Sequence, residues 1–445
     1  MGNGVMSFSY DGELYTLTEG GEPKKVKINI RTQEGVNSDT YVSVNGGVRE
    51  MDISPNGKEI AFISRGEVFV TSVDGSLTKR ITNMPEQERF VKFTHAGKAV
   101  SYASERSGKW DIYQTKKVRK EEKYFFTATL VKEDTLISST TDNYLPEFSP
   151  DGTSVAYIEG RRTLKVMNLK TKQTTTLLTP DDLIHMSDGD QEFKWSPDSK
   201  WLLVDWGVTL SNNEILLISA DGKKRANLTE SGYYDVGPQW VNEGKQLLWF
   251  SNRNGLKSYA TSGNSEFDVY SMFFTKEAWD KHNLTKEEYD LMKELEEDNE
   301  KKDDEKSDEK DKKGKKKKVD KKTEPIQLLK FDWEDLDLRK SRLTIHSSKL
   351  RDAVLSKDGE KLYYLTRFEK GLNLWETELR TKNTKMLIAL GANSGGLQWD
   401  AKQENLFLLA DGKIAKVDLD GAKTKPVKIK SEMKLDADAE RQYMF

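Results

Sequence analysis

Cysteine is absent from this chain of 445 residues. That excludes disulfides, thiolate metal sites and cysteine nucleophiles, and leaves the redox compartment open. Histidine is scarce: His95, His185, His282 and His346 are the whole supply. No two of them stand one helical turn apart, so the paired-histidine metal spacing does not occur. There is no Gly-x-Ser-x-Gly elbow, which excludes a hydrolase nucleophile of that type. There is no phosphate-cradling glycine loop either; Gly20-Gly21 and Gly395-Gly396 read as turns. No apolar run reaches the length of about 18 residues that a membrane span needs. The first residues show no basic region followed by an apolar run, so no secretion signal is visible. Neither charge sign dominates, with 71 Lys and Arg against 74 Asp and Glu. Nothing therefore draws the whole chain to nucleic acid. No cofactor and no metal are expected.

One short pattern dominates what is present. It occurs as Ser54-Pro55-Asn56-Gly57, Thr94-His95-Ala96-Gly97, Ser149-Pro150-Asp151-Gly152, Ser196-Pro197-Asp198-Ser199, Val241-Asn242-Glu243-Gly244, Ser356-Lys357-Asp358-Gly359 and Asp400-Ala401-Lys402-Gln403. A large apolar residue precedes each copy: Ile53, Phe93, Phe148, Trp195, Trp240, Leu355 and Trp399. Three residues past each turn comes another: Ile60, Val100, Val155, Leu202, Leu247, Leu362 and Leu406. The seven copies align without a gap, which means a solenoid, a propeller or an array.

The turn chemistry selects among these. Pro presets φ, Asp bonds its own backbone, and Gly takes the positive-φ position. Apolar residues alternate with period two on both sides, so each copy is a β-hairpin with a buried face. Third strands follow at Asp111-Ile112-Tyr113, Leu164-Lys165-Val166, Ile215-Leu216-Leu217, Asp268-Val269-Tyr270 and Asn373-Leu374-Trp375. Fourth strands end in an apolar residue and Thr: Ile81-Thr82, Leu178-Thr179, Leu228-Thr229 and Leu343-Thr344. Four strands per repeat make the blade of a β-propeller. The expected fold is all-β, a seven-bladed propeller of four-stranded antiparallel blades with one helical, charged insertion.

Residues 1–45 read as a partial blade of a preceding propeller, with strands around Val5–Phe8, Glu13–Leu17 and Lys24–Ile28 and a turn at Asp11-Gly12. Residues 46–430 are the seven-bladed unit. One interval is exceptional, since 115 positions separate Val241 from Ser356. Thr275 and Thr285 begin capping-box-like helix starts. Leu284, Tyr289, Leu291, Met292 and Leu295 give a helical stripe. Residues 296–324 are nearly all charged, and positions 301–323 hold 12 Lys and 7 acidic residues. Such a stretch cannot offset its ordering entropy by burial, so disorder is expected, as a solvated linker rather than a nucleic-acid patch. Residues 431–445 read as the start of a helix from Ser431, and the whole as a piece of something larger.

No constellation supplies a catalytic residue. His185 lies beside Ser187-Asp188-Gly189-Asp190, which lacks the remaining ligands of a calcium loop. Trp195, Trp240 and Trp249 fall on repeat positions, so blade packing accounts for them; Trp201 and Trp206 are less settled. Asp188, Asp190 and the segment Glu230 to Asp235 lie just upstream of inner strands, where loops open on one face. Asp188, Asp190, Tyr233, Tyr234 and Asp235 are therefore the candidate channel-mouth residues.

With these repeats in place, the chain resembles the propeller region of tricorn-type serine peptidases, particularly the secreted bacterial homologues. The carrying segments include Val48 to Asn83, Tyr102-Ala103-Ser104-Glu105-Arg106, Arg161 to Val166 and Asn227-Leu228-Thr229-Glu230-Ser231-Gly232. The most specific is Leu248-Trp249-Phe250-Ser251-Asn252-Arg253-Asn254-Gly255 with Asp268-Val269-Tyr270-Ser271-Met272-Phe273-Phe274. The resemblance implies a seven-bladed propeller that passes peptides or unfolded polypeptide to catalytic domains elsewhere in a parent serine peptidase. It also implies a periplasmic setting, with a cytoplasmic one as the alternative, and homo-oligomers formed through the parent. The family's catalytic Ser and His match no position in this chain. Two other readings stay open: a stand-alone protein- or peptide-binding propeller of the envelope-assembly type, and a propeller attached to an α/β-hydrolase peptidase.

Overall fold

The computed structural model describes residues 4–10, 13–28, 39–94, 96–183, 191–209, 212–258, 264–296 and 328–444. His95, His185, Asp188, Asp190, the Asp11-Gly12 turn and the charged stretch 298–323 lie outside the described residues. Seven four-stranded antiparallel sheets succeed one another, each made of strands consecutive in the chain. They are blades 1 to 7. Their innermost strands are Val48–Ile53, Glu88–Phe93, Asn143–Phe148, Phe193–Trp195, Asp235–Val241, Lys349–Leu355 and Gly395–Trp399.

The repeat sets the register. Its two apolar positions face each other across every hairpin: Ile53 with Ile60, Phe93 with Val100, Phe148 with Val155, Trp195 with Leu202, Trp240 with Leu247, Leu355 with Leu362, and Trp399 with Leu406. The turn closes as its residue types require. Ser149 Oγ donates to Asp151 Oδ1 at 2.6 Å and accepts from the Ser154 N–H at 2.9 Å. Gly152 holds φ 68°. Blade 7 lacks this glycine, and Gln403 adopts φ 54° in its place. The left-handed region costs an L-residue about 1 kcal/mol or more. Gln403→Gly is therefore expected to stabilise the fold by about 1 kcal/mol, read as a raised midpoint in urea unfolding. An unchanged or lowered midpoint would show that the Gln403 side chain compensates for its backbone.

The apolar-Thr ending of the fourth strand has a defined task. Thr82 Oγ, Thr229 Oγ and Thr344 Oγ accept from the Val68, Ile215 and Val269 N–H groups at 2.9, 3.0 and 3.2 Å. The same hydroxyls donate to Glu67, Glu214 and Asp268. Each pair pins a blade's outer strand to its third strand and satisfies a buried carboxylate.

Adjacent blades are riveted around the whole ring. Asp52 accepts the Phe93 N–H (2.7 Å), and Lys92 pairs with Glu147 (2.8 Å). Trp195 Nε1 donates to the Glu147 carbonyl (2.9 Å), and Trp240 Nε1 to the Lys194 carbonyl (3.0 Å). Gln239 Nε2 reaches the Ala353 carbonyl (3.1 Å), and Asp352 accepts the Leu397 N–H (2.7 Å). Gln398 Nε2 to Asp52 Oδ1 (3.1 Å) then joins blade 7 to blade 1. Between these rivets the blade faces bury Phe62, Tyr102, Trp249 and Tyr364 at 2 % exposure or less, large apolar areas that dominate the stabilisation.

Because each blade is contiguous, none is completed by a strand from the opposite end of the chain. A ribbon clasps the ends instead: Asp39–Val44 pairs antiparallel with Ser431–Asp436. Val44 and Met433 pack from it onto Ile53, Phe62 and Phe407. This corrects two sequence readings. Residues 39–44 lie apart from the three-stranded sheet Val5–Tyr10, Glu13–Thr18 and Lys24–Lys25. Residues 431–436 form a strand, and the helix begins at Ala437 and ends at Met444. Met433 and Leu435 alternate toward the core, a period-two signal that the acidic, helix-like composition concealed.

The long interval lies between the third and fourth strands of blade 5. Helix α1 spans Lys276–Asn283 and is capped by Thr275, whose hydroxyl accepts the Ala278 N–H at 3.2 Å. Helix α2 spans residues 286–296. It opens with a reciprocal capping box, the Thr285 N–H to Glu288 at 2.8 Å and the Glu288 N–H to Thr285 at 3.3 Å. Arg380 of blade 6 anchors both helices. It donates to the carbonyls of Lys281 and Leu284 and stacks 3.8 Å from the Tyr289 ring centroid.

Candidate functional site: the axial cavity

A cavity of ≈ 700 Å³ runs where the innermost strands converge, and every blade contributes to its wall. Its character follows from one repeat position. The residue just before the large apolar one is Asp52, Lys92, Glu147, Lys194, Gln239, Val354 and Gln398 in blades 1 to 7. Lys92, Glu147, Lys194, Gln239 and Gln398 line the cavity. This polar ring was readable in the repeat alignment. It is masked in the sequence by the stronger apolar periodicity on either side of it.

The innermost strands have a free edge, whose N–H groups need acceptors. Carboxylates of the preceding blade supply several of them. Glu50 accepts the Phe90 N–H at 2.5 Å, alongside the Asp52 and Asp352 contacts already described. β-Bulges interrupt the innermost strands of blades 2, 3 and 5. Phe90, Leu145 and Gly237 take positive φ there, at 59°, 55° and 66°. Phe90 and Leu145 are bulky residues in that region, held by their surroundings and facing the cavity.

The wall divides electrostatically. On one side Glu147 is bridged by Lys92 at 2.8 Å and Lys194 at 3.1 Å. Burial opposes its ionisation, but the two ammonium groups outweigh burial and hold the carboxyl down to about 2. Lys92 is pushed above its ordinary value: burial lowers it, and Glu147 with Asp52 raises it further. On the other side, burial pushes Asp352 up to about 6, against two backbone N–H donors and with Glu192 adding repulsion.

Of the candidate residues from sequence, Tyr233, Tyr234 and Asp235 are not among those that line the cavity. Asp188 and Asp190 lie outside the described residues. Tyr233 is 39 % exposed at the loop before blade 5. Tyr234 stacks edge-on to Phe267 at 6.1 Å, and its N–H reaches Asn252 at 3.0 Å. Asp235 is 0 % exposed and accepts from Ser231 Oγ (2.5 Å), Trp249 Nε1 (3.2 Å) and Arg253 Nη2 (3.2 Å). It braces the loop from inside and offers no surface to a ligand. Trp206 Nε1 is tied to the Asp182 carbonyl at 2.6 Å, and Trp201 packs on Phe331.

One Ser–His contact occurs among the described residues, His282 Nε2 to Ser341 Oγ at 3.1 Å. The ring stacks against Phe273 at 4.5 Å. Burial, with Lys382 and Arg380 nearby, lowers its pKa to about 4. A general base needs the opposite surroundings, with a carboxylate to orient and charge it. This contact closes α1 onto the blade. The described residues hold no grouping of three or more metal-ligating side chains, and no described helix is long and apolar enough to cross a membrane.

No family model matches the chain. Among solved structures it is similar to the tricorn protease, at 14 % identity and a TM-score of 0.59. That match covers 97 % of this chain and 39 % of the protease, so the chain spans well under half of its length. The propeller domain of Cps50 (Swd1) from Myceliophteria thermophila is also similar, at 11 % identity and a TM-score of 0.51, over 85 % of this chain and 99 % of that one. TolB from Acinetobacter baumannii matches at 15 % identity over 76 % of this chain and 62 % of that one, with a TM-score of 0.40. The likenesses to the tricorn protease and to the Cps50 (Swd1) domain show the β-propeller fold.

Proposed function

We propose that this propeller admits extended peptide segments along its axis, as the accessory of a serine peptidase whose catalytic groups lie outside these blades. The observation that carries the reading is the axial cavity itself, walled by all seven blades with polar and charged side chains alongside about as many apolar ones. Polar groups set among apolar side chains around such a space suit an extended chain, which offers donors and acceptors along its length. The likeness to the tricorn protease over 97 % of this chain supports the same reading. Entry is assigned to the loop of Tyr233 and Tyr234 before blade 5, with Asp235 as its internal brace.

A passage must release what it admits, and ordering a flexible peptide costs entropy, so affinity is weak. Unstructured peptides of ten to twenty residues are expected to bind with Kd of about 1 μM or weaker. Tyr233→Ala and Tyr234→Ala should weaken binding several-fold without lowering the unfolding free energy by more than about 1 kcal/mol. Binding that is unaltered by either change, or lost only when the fold is lost, would contradict entry from that face.

A further inference from the structure

A second repeat position, three residues before the large apolar one, shapes the cavity wall. It is Phe90 in blade 2, Leu145 in blade 3 and Gly237 in blade 5. All three take left-handed backbone, at φ 59°, 55° and 66°. Blade 5 uses the residue that does so freely, and a Cβ at Gly237 would stand 2.9 Å from a Phe250 ring atom. Blades 2 and 3 keep bulky side chains there, where the backbone strain is real. Strain of this kind persists where the surroundings over-determine it, and it gathers at ligand clamps. Packing holds one side of each residue. The Phe90 ring stacks on Tyr144 at 5.9 Å and meets Trp110 edge-on at 6.3 Å, and Leu145 packs on the same core. Both nevertheless stay partly exposed and line the cavity. They are continuous with blade 1, because Glu50 accepts the Phe90 N–H at 2.5 Å. Met51 follows Glu50, is partly exposed and lines the same space. An apolar sector therefore runs across blades 1 to 3, while Glu192, Asp352 and Gln398 of blades 4, 6 and 7 make their parts of the wall polar.

We propose that Met51, Phe90 and Leu145 form an apolar subsite that takes one large apolar side chain of a peptide in the axial cavity. Such a side chain fits on three counts. It removes from water the apolar surface that these residues expose to the cavity, along with its own. The cavity of ≈ 700 Å³ has room for it beside the peptide backbone, whose polar groups can turn to the polar sector. Phe90 and Leu145 are also held in place by their packing, so the subsite is preformed and binding bears little cost of ordering it. The inference rests on the peptide-admitting reading and narrows it to a substrate class.

The test uses the full chain and three unstructured, uncharged peptides of equal length, blocked at both ends. They differ in one central residue, which is phenylalanine, alanine or glutamine. The phenylalanine peptide is expected to bind about tenfold tighter than the alanine peptide, as burial of an aromatic side chain provides. The glutamine peptide, with a long but polar side chain, should bind like the alanine one. In Phe90→Ala and in Leu145→Asn the phenylalanine preference should shrink to within about twofold while thermal unfolding stays cooperative. Asparagine tolerates left-handed backbone, so Leu145→Asn keeps the test readable if Phe90→Ala folds poorly. A role in packing alone predicts variants that lose stability and keep the preference, and that result overturns the subsite. Equal binding of the three peptides, or glutamine binding as tightly as phenylalanine, overturns it too. Each of these outcomes leaves peptide admission standing. No binding of any peptide at millimolar concentration overturns both.

Discussion

Asp235→Ala is expected to destabilise the propeller by about 3–5 kcal/mol, in line with removal of one partner from a buried charge pair. The carboxylate is fully buried and accepts from the Arg253 guanidinium, the Trp249 indole and the Ser231 hydroxyl. Removing it leaves a largely buried cation and a buried indole N–H without their acceptor. Asp235→Asn keeps the shape and loses the charge, so a smaller loss is expected. Urea unfolding monitored by tryptophan fluorescence checks both. A cost below about 1 kcal/mol for the alanine variant would mean that Arg253 and Trp249 find new partners, and that the carboxylate is free for another role.

The second large effect is a pH dependence opposite to the common one. Glu88 opens the innermost strand of blade 2 and is 0 % exposed. Burial and the neighbouring Glu67 carboxylate push it up to about 8; Ser104, Arg106 and Thr82 oppose this less strongly. Between about 4.5 and 8 the folded state thus holds a proton that the unfolded chain has released. Unfolding then releases the proton, so stability from this group falls as pH rises through that window and levels off above it. The contribution is on the order of 5 kcal/mol across the window. His282 contributes the other way. Its folded pKa is lowered to about 4, so stability is lost as pH falls from about 6.5 toward 4. Glu88→Gln is expected to flatten the decline between pH 5 and 8 and to make the protein more stable than the parent at pH 8. Parallel stability curves for parent and variant would show that Glu88 is ionised at neutrality.

The legibility of the sequence differed by element. The blades were readable because turn chemistry and period-two burial reinforce each other seven times, and the observed register pairs the same residues. The capped helices were readable because capping is local: Thr275 and Thr285 need only the next three residues. The clasp was not, since pairing Ser431–Asp436 with Asp39–Val44 joins segments nearly 400 positions apart, and its alternation is diluted by acidic residues. The cavity was half legible. The polar repeat position names five of its wall residues, but only the folded ring shows that Lys92 and Lys194 converge on one glutamate. Asp235 shows the reverse difficulty. An acidic residue before a strand reads as surface, and three donors from separate elements draw it inside.

Photo-cross-linking of a bound peptide tests peptide admission most directly. An unstructured peptide carrying a benzoylphenylalanine at its centre would be irradiated with the full chain, and the adducts mapped by mass spectrometry. Axial passage predicts adducts on the innermost strands, at Val91, Lys92, Leu145, Lys194, Gln239 or Gln398, competed away by the same peptide without the label. Adducts confined to outer strands such as Lys79–Arg80, Thr174–Leu178 or Thr384–Leu387 would contradict it, and would leave a propeller that binds its partners on its rim.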